Sequence, residues 1–220
     1  MTKHLLEIDS VILRYGERDI LSNVYLKCET GELIALFGRN GAGKSSLLKL
    51  IFGSLHGESQ SVRIDKKYHH QLYTTSGNIR FLPQSGLLPG NLKVAKAINF
   101  FVGPSNRAAL MEDPYLAPNV NERVGVLSGG LKKYLECLLI VYSNVKFVLL
   151  DEPFTHVSPI MVEVLKSHLL KQSAGKGIIL TDHLYEPLLD ISHRMYLIEQ
   201  GRTVSIEQRD DLIARGYINP

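Results

Sequence analysis

The run Gly38-Arg39-Asn40-Gly41-Ala42-Gly43-Lys44-Ser45 fits the spacing G-x-x-x-x-G-K-[ST]. That spacing suits a loop folded round a polyphosphate, with its backbone N–H groups turned inward. Gly38, Gly41 and Gly43 permit the backbone angles and close approach that a side chain would block. A helix opening near Lys44 adds its positive end to the cradle. In such a loop Lys44 reaches the β- and γ-phosphates and Ser45 binds Mg²⁺, with Ser46 in reach of the α-phosphate. A second chemical pair closes the run Phe147-Val148-Leu149-Leu150-Asp151-Glu152. A buried strand ending in two acids delivers them to the edge where ligands bind in open α/β sheets. Asp151 is expected to hold Mg²⁺ through water, and Glu152 to polarise the water that attacks the γ-phosphate.

Both groups need elements to hold them. Leu33 to Phe37 is a continuous apolar run, as a buried parallel strand requires, and it leads directly into the glycine loop. Leu47, Leu48 and Ile51 then share one side of a helix from Lys44 to about Phe52. Further strand-like runs lie at Ile79–Leu82, Phe147–Leu150, Ile178–Thr181 and Met195–Ile198. Helical stretches at Pro159–Lys171 and Tyr185–Ile191 separate the last three, a rhythm that predicts an α/β layered fold. Ahead of these, Leu6, Ile8, Ser10 and Ile12 alternate with Glu7, Asp9 and Val11. Val24, Leu26 and Cys28 alternate again after a polar Gly16–Asp19 turn, so an antiparallel piece is expected. From about 85 to 127 the rhythm breaks. A helix candidate at Lys93–Val102 is followed by Pro- and Asn-rich connections, which read as an inserted, mostly helical subdomain within one domain of residues 1–220. Gln200-Gly201 reads as a hairpin turn between Met195–Glu199 and Arg202–Ile206, with a short helix after Glu207.

Composition narrows the class. Hydrophobic residues are 45% and charged residues 21% of the 220, which excludes disordered, collagen-like and mucin-like chains. A net charge of +3 is too small to argue for nucleic acid. Cys28 and Cys137 make no disulfide framework and suit a reducing compartment. The most apolar stretch, Leu135 to Val141, is interrupted by Glu136, so no bilayer span is expected. Glu7 and Asp9 break any secretory signal, and a soluble cytoplasmic chain follows. Lys132, Lys133 and Lys146 lie among acids and read as a solvated face. His69-His70 has no third metal ligand nearby in sequence.

Taken in order, the motifs resemble those of the ATP-binding cassette (ABC) ATPase family over nearly the whole chain. Leu127-Ser128-Gly129-Gly130 resembles the family signature and precedes the Asp-Glu strand by a short helix. Pro83-Gln84 resembles the Q-loop, Thr181-Asp182-His183 the switch histidine, and Tyr15 before Gly16 the aromatic that stacks on adenine. The resemblance implies a P-loop ABC ATPase fold: a mostly parallel core sheet, an antiparallel β subdomain and the helical insertion. It implies ATP and Mg²⁺, with two ATP molecules held between two cassettes facing head to tail. Ser128, Gly129 and Gly130 of one chain then contact the γ-phosphate held by Lys44 of the other, a second copy or a related cassette. His183 donates to the γ-phosphate and positions the water of Glu152. Gln84 senses Mg²⁺ or that water and passes closure to the helical region. Separate integral membrane subunits are the further partners, which puts the chain on the inner face of the cell membrane; nucleic acid is not expected.

Two other readings stand beside this one: a soluble ABC protein acting on nucleic acid or ribosomes, and a catalytically weak regulatory partner. Against the first, translation-factor members usually carry two cassettes, and no sustained heptads suggest a chromosome-structure protein. The second is prompted by departures from the family pattern. Leu131 stands where Gln or another polar residue is usual, and is read as packing. Ser158 stands where Asp is usual and His156 where a small residue is usual. Ser158 is read as an uncharged cap on the following helix, at a cost to the coupling between the two sites. Leu87, Leu88, Leu92, Phe100, Phe101 and Val102 suit either a partner groove or plain core. The Thr181-Asp182-His183 run with its hydrophobic helix resembles cassettes of lipid-polysaccharide export and branched amino-acid uptake.

Overall fold

Alternating residues make the first two strands, β1 (Leu5–Tyr15) and β2 (Arg18–Glu29), which pair antiparallel. The computed structural model describes residues 2–75 and 77–219; Met1, Ser76 and Pro220, inside the span expected to form one domain, lie outside the described residues. The alternation of β1 is not the simple one its sequence suggests. The register shifts between Ile8 and Val11, where Ser10 adopts φ 55°. This bulge changes the phase of the strand, so Val11 and Leu13 are buried after Leu6 and Ile8, while Ser10 is exposed and Ile12 is only partly covered. The turn is also shorter than expected: Gly16-Glu17 alone, with Asp19 already paired to Arg14.

β3 (Leu33–Gly38) is buried along its whole length and runs into α1 (Lys44–Phe52). The chain then returns to the first sheet through β4 (Ser59–Ile64) and the short β5 (Lys67–Tyr68), giving the order β2-β1-β4-β5. Sequence reasoning did not find β4, because Ser59, Gln60 and Ser61 are polar and only Val62 and Ile64 are buried. β6 (Ile79–Leu82) leads to α2 (Val94–Phe101), α3 (Pro104–Met111) and α4 (Gly129–Val141). β7 (Phe147–Asp151), α5 (Pro159–Ser173), β8 (Gly177–Thr181) and α6 (Tyr185–Ile191) follow. The chain closes with the hairpin β9 (Arg194–Glu199) and β10 (Arg202–Ile206), then α7 (Arg209–Ala214).

The second sheet has six strands in the order β10-β9-β3-β8-β7-β6, parallel except for β10. Its continuous apolar strands are explained by two covered faces. Leu33, Ala35 and Phe37 of β3, with Val148 and Leu150 of β7, face the core shared with α4 and α5. Ile34 and Leu36, with Phe147 and Leu149, face the core shared with α1 and the antiparallel sheet. The two sheets are stitched where Tyr25 N–H donates to Thr203 Oγ1 at 2.9 Å and Thr203 Oγ1 donates to the Tyr25 carbonyl at 2.6 Å.

Between β6 and α4 the described residues hold helices and turns, and the only β contact outside the named strands is an isolated Lys93–Arg123 bridge. α3 lies where a loop was expected; Pro104 occupies its first turn, the one helical place where a missing N–H costs nothing. Residues 133–141 of α4 are all buried, as for a helix covered on every side. Lys176 supports its end, donating to the Val141 carbonyl at 2.6 Å and the Ser143 carbonyl at 2.8 Å. Among the described residues no helix is long and apolar enough to cross a membrane.

Candidate active site

The residues expected to do chemistry gather at the carboxyl ends of β3, β7 and β8. The loop after β3 turns through Gly41 (φ 78°) and Gly43 (φ 99°) before α1 begins. Gly43 is needed twice over: its backbone angle is left-handed, and an added Cβ would sit 2.9 Å from Leu21 Cδ2. Lys44 is buried, and its Nζ donates to the Gly38 carbonyl at 2.6 Å and the Arg39 carbonyl at 3.4 Å. Burial lowers its pKa, against the pull of Glu152, Asp151 and Asp182. The next residue, Ser45, donates from Oγ to Asp151 Oδ1 at 3.0 Å, so the first turn of α1 meets the end of β7. Burial raises the pKa of Asp151, and the Ser45 bond partly offsets it.

Glu152 leaves β7 at φ 54°, in the left-handed region, a strain of about 1–3 kcal/mol for a residue with a side chain. Its N–H still continues the ladder, donating to the Thr181 carbonyl at 2.8 Å. The twist aims the carboxylate between two donors. His183 Nε2 lies 2.8 Å from Oε1, and Gln84 Nε2 donates to Oε2 at 2.9 Å. Thr155 Oγ1 reaches the same Oε2 at 3.4 Å. Asp182 is wholly buried; its Oδ2 accepts from Phe154 N at 2.7 Å and its Oδ1 from Leu184 N at 3.0 Å. It thereby ties the segment carrying His183 to the loop that follows Glu152. Burial raises its pKa, opposed by those backbone amides.

Ser45 bonds Asp151, Gln84 and His183 bond Glu152, and Lys44, bonded to its own loop, feels both acids electrostatically, so the six form one cluster without a continuous hydrogen-bonded network. Two expected pieces stand outside it. Tyr15 is exposed at the end of β1. Ser128 caps α4, with its Oγ accepting from Leu131 N at 3.2 Å, while Gly130 lies against the loop after β7. A Cβ on Gly130 would come within 2.5 Å of the His156 carbonyl. Leu131 packs against the core as expected. Two expectations fail here. Ser158 precedes α5, but its side chain makes no cap bond. Lys133 is no part of a solvated face: it is buried, and its Nζ donates to the Gln84 carbonyl at 3.1 Å. Sequence reasoning also missed Thr155 and Glu136 near the site, because polar residues in a loop and in an apolar helix carry no signal of where they point.

A glycine loop after β3, a carboxylate pair ending β7 and a histidine following β8 make the layout of a P-loop ATPase cassette. The family model described as ABC transporter matches residues 21–155, and the chain belongs to that family as one of its ATPases. It is 27% identical to the lipopolysaccharide export system ATP-binding protein LptB of Haemophilus influenzae, aligned over 97% of each chain. It is 28% identical to the high-affinity branched-chain amino acid transport ATP-binding protein BraG of Pseudomonas aeruginosa, over 91% of each. The solved ATP-binding subunit of an ABC transporter superposes with a TM-score of 0.82 at 21% identity, over 98% of this chain and 95% of that one. A bacterial Atm1-family ABC exporter solved with ATP bound gives 0.83 at 22% identity, over 98% of this chain and 41% of that one.

Proposed function

We propose that this chain, read as one ATPase domain over residues 1–220 with 85–127 as its helical subdomain, hydrolyses ATP between two cassettes to drive separate membrane subunits. The observation that carries the reading is the Glu152 carboxylate held between His183 and Gln84, one residue beyond the Asp151 that bonds Ser45. Lys44 exchanges its Gly38 and Arg39 carbonyl acceptors for β- and γ-phosphate oxygens. Gly38 to Ser46 line the phosphates, and Tyr15, exposed for half its surface, stacks on adenine. The Ser45 hydroxyl and Asp151 carboxylate, already 3.0 Å apart, are hard oxygen donors that would hold Mg²⁺, and Gln84, bonded to the adjacent Glu152, would be the third residue of the metal set. Mg²⁺ supplies charge neutralisation at the β- and γ-oxygens. Glu152 takes the proton of a water as its oxygen attacks the γ-phosphorus; the bond to the bridging oxygen breaks, giving ADP and inorganic phosphate. His183 orients that water and the γ-phosphate.

The partner cassette, a second copy or a relative, completes the site with Ser128, Gly129 and Gly130. Their place outside the Lys44 cluster supports this, as does the capped start of α4, which presents N–H groups to an anion. Leu87, Leu88, Leu92 and Phe101 line an apolar groove of about 470 Å³ rimmed by Phe100, which is 82% exposed. That groove is read as the seat of the membrane subunit, and with it the chain sits on the inner face of the membrane in this reading. Relatives act in lipopolysaccharide export and in amino acid transport, so cargo choice is assigned to the membrane subunits.

The test is Glu152→Gln. It is expected to lower turnover by about 10²–10⁴-fold, keep ATP binding, and elute as a dimer in MgATP. Wild-type turnover removes Glu152 as the base, and a monomer in MgATP removes the two-cassette site.

A further inference from the structure

α4 grips the loop that carries Gln84 from both ends, using two buried charges. Glu136 is 1% exposed, and its Oε1 accepts from Leu87 N at 3.0 Å and Leu88 N at 2.9 Å. The same oxygen has Lys132 Nζ at 3.9 Å. Three residues earlier on the same helix face, Lys133 Nζ donates to the Gln84 carbonyl at 3.1 Å, the Pro83 carbonyl at 3.5 Å and the Asp151 carbonyl at 3.4 Å. Gly86, between the two grips, lies so close that an added Cβ would meet Glu136 Oε2 at 2.7 Å. Hydrophobic packing alone does not call for this arrangement. The flanking Leu135, Cys137 and Leu138 are wholly buried, and an apolar residue at 136 would avoid the cost of desolvating a carboxylate.

We propose that Lys133 and Glu136 are positioning residues that clamp the 84–88 loop to α4, so that loop and helix move as one body. The proposal rests on the roles given above to Gln84 and Glu152. The clamp joins three places. Leu87 and Leu88 present side chains to the apolar groove while Glu136 holds their amides. Gln84 at the other end donates to Glu152. Ser128–Gly130 begin the clamping helix itself. A push on the groove therefore shifts the amide that holds the base together with the segment offered to the partner cassette. This is a contiguous, hydrogen-bonded link rather than mere proximity.

Two readouts test it. In Glu136→Ala the amides of Leu87 and Leu88 are expected to exchange with deuterium about tenfold faster or more, the scale of a lost hydrogen bond to a charged group. Glu136→Gln keeps a carbonyl acceptor and is expected to restore most of the protection. Glu136→Ala is also expected to lower kcat by about 10- to 100-fold, with the Kd for a non-hydrolysable ATP analogue unchanged. In a Gln84→Ala background the same change is expected to cost less than about twofold more, because both act through one contact. Gly86→Ala, which pushes a methyl at the carboxylate and also strains the backbone at φ 80°, serves if Glu136→Ala does not fold, because unchanged exchange there would still contradict the clamp. Unchanged exchange in a folded Glu136→Ala or Gly86→Ala protein overturns the clamp. So do Gln84 and Glu136 losses that simply multiply. A wild-type protein that turns over no ATP removes the assignment of the site, yet leaves the exchange result standing.

Discussion

Lys44 and Lys176 are both buried cations, and what faces them separates their roles. Lys44 has Glu152, Asp151 and Asp182 opposing its burial, which suits the phosphate-binding role proposed for it. Lys44→Ala is expected to abolish nucleotide binding, read by titration with an ATP analogue, while urea denaturation shows a folded protein. Lys176 meets only the backbone carbonyls at the end of α4, and burial pushes it down to about 8. The unfolded chain, with an ordinary lysine near about 10.4, then binds more protons than the native state between those values. Stability is expected to rise with pH from about 8 towards 10, by at most about 1.4 kcal/mol per unit. Urea melts across that window check it, and Lys176→Met should flatten the slope. At this scale the sequence was most readable where residue type and spacing predict placement: Lys44, Ser45, Asp151, Glu152 and His183 lie together at the strand ends, as their motifs led one to expect. Lys133 and Glu136 were opaque. A charged residue in a helix reads as solvated unless the helix is known to be covered on all sides, and only the assembled core shows that.

Elements were legible in proportion to how regularly they are buried. The uninterrupted apolar runs of β3, β7 and β8 announced a sheet covered on both faces, and α1 was bounded correctly by its glycine loop and its apolar stripe. β1 misled because one left-handed serine reverses the alternation, and a local backbone kink leaves no mark in hydropathy. α3 was hidden by its weak apolar face and its opening proline. The two serines that precede helices give a direct comparison. Ser128 makes its cap bond and Ser158 makes none. Ser128→Ala is expected to cost about 1 kcal/mol and Ser158→Ala less than about 0.5, measured by urea denaturation at pH 7. Equal costs would mean that Ser158 caps α5 after all.

At the scale of the whole molecule, the larger sheet separates two cores, one shared with the antiparallel sheet and one with the helices, and the helical region turns an apolar rim outward. Phe100 shows that the rim does not serve stability. At 82% exposure it covers little of the core, so Phe100→Ser is expected to change stability by less than about 0.5 kcal/mol and leave ATP binding intact. A larger loss in urea melts would make the rim part of the core. The order of the larger sheet carries one more consequence. β3, the strand that leads into the glycine loop, lies between β8 and β9, both drawn from the last quarter of the chain. During synthesis this strand is made early but gains its two neighbours late, at the cost of long-range pairing. A nascent or prematurely terminated chain ending before residue 194 has a glycine loop without the wall that β9 provides.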